Sequence, residues 1–199
     1  MKKIPDEIDN PIDNLLIQFA DYLCPFFKQM GHTPNMITTY SLITGVLSVY
    51  FLYKGYPFVF ALLYMISYFF DCMDGHYARK YQMTSREGDL YDHIKDISVY
   101  IILIYVVYIK YRKVIKPIDL IVLITTLFLC MVHLGCQQKY LQKENDDETL
   151  DLTKHLCSSQ DMIHYTKWVG MGTFIVISIL LILLIHQRCA NFIKERTGL

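Results

Sequence analysis

The chain lacks a net charge. Nineteen Lys and Arg balance nineteen Asp and Glu, so there is no global basic field and no argument for a nucleic-acid partner. None of its six cysteines forms a C-x-x-C pair. Cys72, Cys130 and Cys136 lie in apolar runs, which reads as small buried hydrophobes and not as a zinc site or a disulfide framework. No internal repeat or low-complexity tract occurs. The opening MKKIPDEIDNPIDN has two lysines followed by acids and prolines. It has no apolar core of a secretory signal, which predicts an uncleaved, cytosolic start.

What is present is apolar. Hydrophobic residues make up 53% of the chain, with a mean hydropathy of +0.27. Tyrosine, which favours membrane–water interfaces, occurs 16 times. At 199 residues the expectation is a single domain over 1–199, an all-α polytopic membrane helix bundle.

Asn10 before Pro11 reads as a helix start, a capping side chain followed by proline at the first helical position. Ile12, Leu15, Leu16, Phe19, Leu23, Phe26, Phe27 and Met30 then recur at helical spacing. This amphipathic helix, 10–30, is too polar to span and is expected to lie along the interface, bent near Pro25. The transmembrane bundle follows over 36–187. Met36–Tyr53 gives one span and Gly55–Phe70 a second, short of the roughly 20 residues a span needs, so its helix must continue into Asp71 and Asp74. Ile97–Ile109 is shorter still and must begin near Gly88, taking in Asp89, Asp92 and Asp96. Leu120–Gln138 and Trp168–Ile185 complete five spans. A sixth would have to lie in the polar connection Lys139–Lys167, which reads as a surface loop. Lys110, Arg112, Lys113 and Lys116 oppose the side chosen by the N-terminus, so positive charge does not assign orientation. A cytosolic start puts the acids at the cytoplasmic-side interface; the organelle is not indicated.

Length thus draws the ends of DCMDGHYARKYQMTSREGDLYDHIKD to membrane depth. Asp71 and Asp74, three apart, share a helix face, as do Asp92 and Asp96, four apart. Unpaired acids at that depth cost several kcal/mol each on most scales, so they call for a cation. Oxygen-only donors suit Mg2+, Mn2+ or Ca2+. Four acids can hold two ions about 3.5–4 Å apart, an arrangement suited to phosphoryl transfer. Gly75 and Ala78 leave one face open to close approach, and Arg79 can pair with phosphate. Lys95, about 100° around the helix from Asp96, reads as an interfacial cation pointing away from the acids. Asp89 reads as a solvated acid at a helix start. Arg86, Lys139 and Lys143 read as solvated interfacial cations.

Together these residues match D-x-x-D-G-x-x-A-R, eight residues, then G-x-x-x-D-x-x-x-D: Asp71, Asp74, Gly75, Ala78, Arg79, Gly88, Asp92 and Asp96. The chain therefore resembles the CDP-alcohol phosphotransferase family. TPNMIT (Thr33–Thr38) is similar to the family's entry into its first span. The second half resembles the family by hydropathy alone, and small members usually have six spans, not five. The resemblance implies a phospholipid-synthesis enzyme that moves a substituted phosphoryl group from a CDP-alcohol to an acceptor hydroxyl, releasing CMP. It implies Asp71, Asp74 and Asp92 as ligands of two divalent ions, Mg2+ or Mn2+, with Asp96 near the metals and acting as base. Gly75, Ala78, Arg79 and Gly88 would hold the CDP moiety. A homodimer is implied by the resemblance alone.

The length matches the family's phosphatidyltransferases, which use CDP-diacylglycerol and a small polar alcohol. DGHYAR and QMTSREG resemble phosphatidylinositol synthases, whereas YDH resembles the choline and ethanolamine branch, with diacylglycerol as acceptor. Beside these stand a divalent-cation transporter using the same acids and an inactive membrane scaffold.

Overall fold

A computed structural model describes residues 5–141 and 151–197. Among the described residues there are helices and no strands: α1 (Pro11–Gln29), α2 (Pro34–Lys54), α3 (Pro57–Lys80), α4 (Arg86–Tyr111), α5 (Pro117–Leu141), α6 (Asp151–Leu156), α7 (Met162–Thr166) and α8 (Met171–Thr197). A 3-10 turn, Lys167–Val169, precedes α8. The acidic middle of the polar connection, including Lys143, lies outside the described residues.

Four described segments, Pro34–Lys54, Pro57–Lys80, Pro117–Tyr140 and Met162–Arg196, are long and apolar enough to cross a membrane. At 26 residues α4 is about 39 Å long, enough to cross, though its first turns are charged. Large apolar side chains point outward along these helices, among them Leu62, Ile101, Ile104, Ile124 and Leu184. That is the pattern of a bundle whose solvent is lipid: the backbone is satisfied within each helix and the outer surface is hydrocarbon. The protein is an integral membrane helix bundle.

By its contacts the chain divides into two compact units. Among the described residues, one comprises 16–116 with 179–197, the other 5–15 with 117–141 and 151–178. In the first, local signals set the helix ends. Thr33 caps α2, its hydroxyl accepting from Met36 N at 3.3 Å, with Pro34 at the first helical position. Gly55, at φ +93°, closes α2 by donating to Leu52 O, a left-handed conformation that costs glycine nothing. Ser85 caps α4 by accepting from Gly88 N at 3.1 Å.

α2 packs on both α3 and α4. Ser41 Oγ donates to Ser67 O at 2.9 Å and Ser67 Oγ to Ser41 O at 2.8 Å. Beside them a Cβ on Gly45 would stand 2.9 Å from Ser67 Oγ and 3.2 Å from Val99. Small residues here let the helices approach closely and bond across the gap, as membrane helices do. Ala20 and Cys24 of α1 are buried with Ile37, Met73 and Tyr77. The other α1 stripe, Leu15, Phe19, Tyr22 and Phe26, is exposed, as is Met30 just past the helix. Asp21 Oδ1 accepts from Lys80 Nζ at 2.7 Å and meets His76 Nε2 at 2.7 Å.

In the second unit Asn10 caps α1, its Oδ1 accepting from Ile12 N at 3.0 Å. The connection read as a surface loop instead carries α6, α7 and the 3-10 turn, with Ile163 in a core shared with Val132. Cys136 and Cys157 are joined in a disulfide within that core. This corrects the reading of the cysteines as unpaired: the partners are 21 residues apart, a spacing with no signature, and only the return of the chain onto α5 joins them. Lys139 donates to Cys157 O at 2.7 Å, so its ammonium is held by a backbone carbonyl.

Candidate metal and nucleotide site

The signature residues occupy two adjoining helix ends. Asp71, Asp74, Gly75, Ala78 and Arg79 lie on the last turns of α3, and Gly88, Asp92 and Asp96 on the first turns of α4. Within each helix the three- and four-residue spacings keep the acids on one face. Ligand oxygens of Asp71, Asp74 and Asp92 all lie within 4.8 Å of one another. Asp96 is not in that group. Its side chain is 52% exposed, and it joins the others through an ion pair with Lys95.

Lys95 departs from the reading of its sequence position. Its side chain is 2% exposed, and its ammonium pairs with Asp71, with Asp92 Oδ1 at 3.0 Å and with Asp96 Oδ1 at 2.8 Å. The rotation from Asp96 is real, but Lys95 is also three residues from Asp92 and so shares its face. Its long stem brings the charge back to the acids.

Thr38 is a residue the sequence reading left without a role. Its hydroxyl donates to Asp74 Oδ2 at 2.6 Å, and Asp74 is buried. A charge-assisted bond of this kind orients a carboxylate. The one signal in the sequence was its place at the end of TPNMIT.

The donor set fits a hard divalent ion. It consists of carboxylate oxygens, drawn from two helices and converging on one point. Asp92 Oδ1 is buried with no aligned hydrogen bond, and the cation beside it is the Lys95 ammonium at 3.0 Å.

Gly75, Ala78 and Gly88 line a cleft of about 60 Å³ with Asn35, Thr38, Asp74 and Asp92. A Cβ on Gly75 would sit 3.2 Å from Arg79 Nη1, and one on Gly88 would sit 3.1 Å from Asn35 Oδ1. Glycine at 75 therefore leaves space that the guanidinium uses. Arg79 Nε is buried without a hydrogen-bond partner. A planar cation beside a glycine-floored cleft is suited to phosphate oxygens.

Residues 31–196 match the family model described as CDP-alcohol phosphatidyltransferase. The chain is also similar to the CDP-diacylglycerol–inositol 3-phosphatidyltransferase of Saccharomyces cerevisiae, 38% identical over 69 residues. That stretch is 35% of this chain and spans only about a third, 31%, of the yeast enzyme's length. No solved structure matches. With the family match running from just before α2 almost to the end of α8, the chain belongs to the CDP-alcohol phosphatidyltransferase family.

Proposed function

We propose that the protein transfers a phosphatidyl group from CDP-diacylglycerol to the hydroxyl of a small polar alcohol, releasing CMP. The observation that carries this reading is the meeting of Asp71, Asp74 and Asp92 oxygens within 4.8 Å beside the cleft of Gly75, Ala78 and Gly88. Acids alone would suit a cation carrier. Acids with a glycine-floored cleft and an unsatisfied Arg79 Nε suit a pyrophosphate. Inositol is the acceptor named for the yeast relative, and it is the first acceptor to test here.

In this reading Asp71, Asp74 and Asp92 hold Mg2+ or Mn2+. The bound cation supplies positive charge that offsets the pyrophosphate and the departing CMP. Gly75, Ala78 and Gly88 let the cytidine diphosphate lie close against the two helices, and Arg79 takes a phosphate oxygen. The acceptor oxygen forms its bond to the phosphorus that carries the diacylglycerol, and the pyrophosphate P–O bond breaks. Asp96, the most exposed of the four acids, takes the hydroxyl proton as general base. The exposed apolar stripe of α1 supports its placement along the membrane surface; the cytoplasmic side for the acids belongs to the reading and rests on the cytosolic start alone. A homodimer is part of the same reading.

The test is an assay of the purified chain in lipid nanodiscs with Mg2+ or Mn2+ and CDP-diacylglycerol. Inositol, serine and glycerol 3-phosphate are offered separately, and CMP and the lipid product are read by mass spectrometry. CMP release that requires both an acceptor and a divalent ion is expected. Product formed only from CDP-choline or CDP-ethanolamine with diacylglycerol would move the protein to the other branch. Metal uptake by proteoliposomes without any CMP release would make it a transporter.

A further inference from the structure

We propose that Lys95 is a resident cation of the acid site: its ammonium holds the place a second divalent ion would need, so this chain loads one divalent ion and not two. The inference rests on the metal-dependent transfer reading above and narrows it.

The oxygens can be assigned one by one. Lys95 Nζ takes Asp71 Oδ1, Asp92 Oδ1 at 3.0 Å and Asp96 Oδ1 at 2.8 Å. Thr38 takes Asp74 Oδ2 at 2.6 Å. One oxygen remains on each of Asp71, Asp74 and Asp92. Asp71, Asp74 and Asp92, whose ligand oxygens come within 4.8 Å of one another, would supply the protein ligands of one hard divalent ion, with water and phosphate completing its shell. Two ions about 3.5–4 Å apart need carboxylates that bridge them. The ammonium already holds the Oδ1 atoms of Asp71 and Asp92, one from each helix. A dication brought to the same oxygens would meet a like charge at close range in a partly dry site.

Lys95 is not positioned as a side chain that leaves easily. Its stem is enclosed, with 2% of the side chain exposed, and Nζ also lies 3.4 Å from Ser41 Oγ on α2. Asp71, Asp92, Asp96 and Ser41 together surround the ammonium. Asp96 stands apart from the three ligand oxygens. It is tied to the site through the lysine, and its exposed side remains turned to solvent, where an acceptor hydroxyl arrives.

The experiment uses the full chain in nanodiscs, stripped of metal, with CMP present and MnCl2 as the probe. Stoichiometry is read by titration calorimetry, and ion–ion coupling by electron paramagnetic resonance. The expected result is about one Mn2+ per chain with the spectrum of an isolated ion, against the two-ion arrangement open to a four-acid site. Lys95→Ala should admit a second ion and show spin coupling, whereas Lys95→Arg, which keeps the charge, should stay at one. Two coupled ions in the unaltered chain would overturn the inference and leave the transfer reading standing. So would a single ion in Lys95→Ala. No Mn2+ bound by any of the three would overturn both. The stoichiometry of the unaltered chain decides the matter even if Lys95→Ala fails to fold.

Discussion

Thr38 Oγ1 and Asp74 Oδ2 lie 2.6 Å apart, tying the first turns of α2 to the last turns of α3 inside the acid site. Thr38→Val keeps the shape and removes the donor. Partners of this kind tune metal affinity by roughly 10–100-fold. The variant should weaken Mn2+ binding by about that factor with little loss of thermal stability, measured by titration and by melting. Unchanged affinity would make the bond a packing detail.

Asp96→Asn removes the proposed base and keeps its size. General-base assistance is worth about 10²–10⁴ in rate, so CMP release should fall at least about 100-fold. Mn2+ binding should persist, because Asp96 lies outside the three converging oxygens. Turnover near that of the unaltered chain would remove Asp96 from the chemistry.

A methyl group at position 75 would stand 3.2 Å from Arg79 Nη1. Gly75→Ala should therefore push the guanidinium aside by a few tenths of an ångström and narrow the cleft floor. The expected outcome is a raised KM for the CDP-alcohol with metal affinity retained. Equal KM values would place the nucleotide elsewhere.

Asp21 titrates with a consequence for stability. Lys80 and then His76, both hydrogen-bonded to it, hold its carboxyl below the usual carboxylate range. A group whose folded-state pKa is lowered contributes stability above its unfolded value of about 3.9, and loses it as pH falls through the folded value. The contribution is small, because the side chain is 52% exposed and solvent screens the pairs. The unaltered chain should melt slightly above Asp21→Asn at pH 6, and the gap should begin to close below about pH 4 and vanish once pH is below the folded value. A gap that persists in acid would mean the contact acts through packing.

The Cys136–Cys157 disulfide closes a loop of 21 residues. Loops near this length gain about 3 kcal/mol in the chain-entropy account. Cys136→Ser with Cys157→Ser should lower the melting temperature, and mass spectrometry of the alkylated unaltered chain should find these two cysteines protected. Alkylation at either without reductant would refute the pairing.

The signature was legible because local rules govern it. Helix spacing alone put Asp71 with Asp74 and Asp92 with Asp96, and span length alone carried α3 through both of its acids. Asn10 was legible as a helix cap because its contact, with Ile12 N, lies two residues along the chain. The polar connection was misread because its hydropathy reports average polarity. It does not report the few apolar contacts, Cys157 and Ile163 among them, that fold it back on α5.

The sequence by itself determined a membrane helix bundle with two acid-bearing helix ends and a glycine, alanine and arginine set between them, because periodicity and length act along one chain. Only the tertiary structure decided that three of the four acids converge, that Thr38 from a third helix holds Asp74, and that Lys95 turns inward to neutralise them. Those relations depend on how separate helices face one another and on how far a flexible lysine stem reaches. A rotation of about 100° per residue gives the direction of a Cβ, while the position of a charge at the end of the lysine stem is set by the carboxylates that surround it.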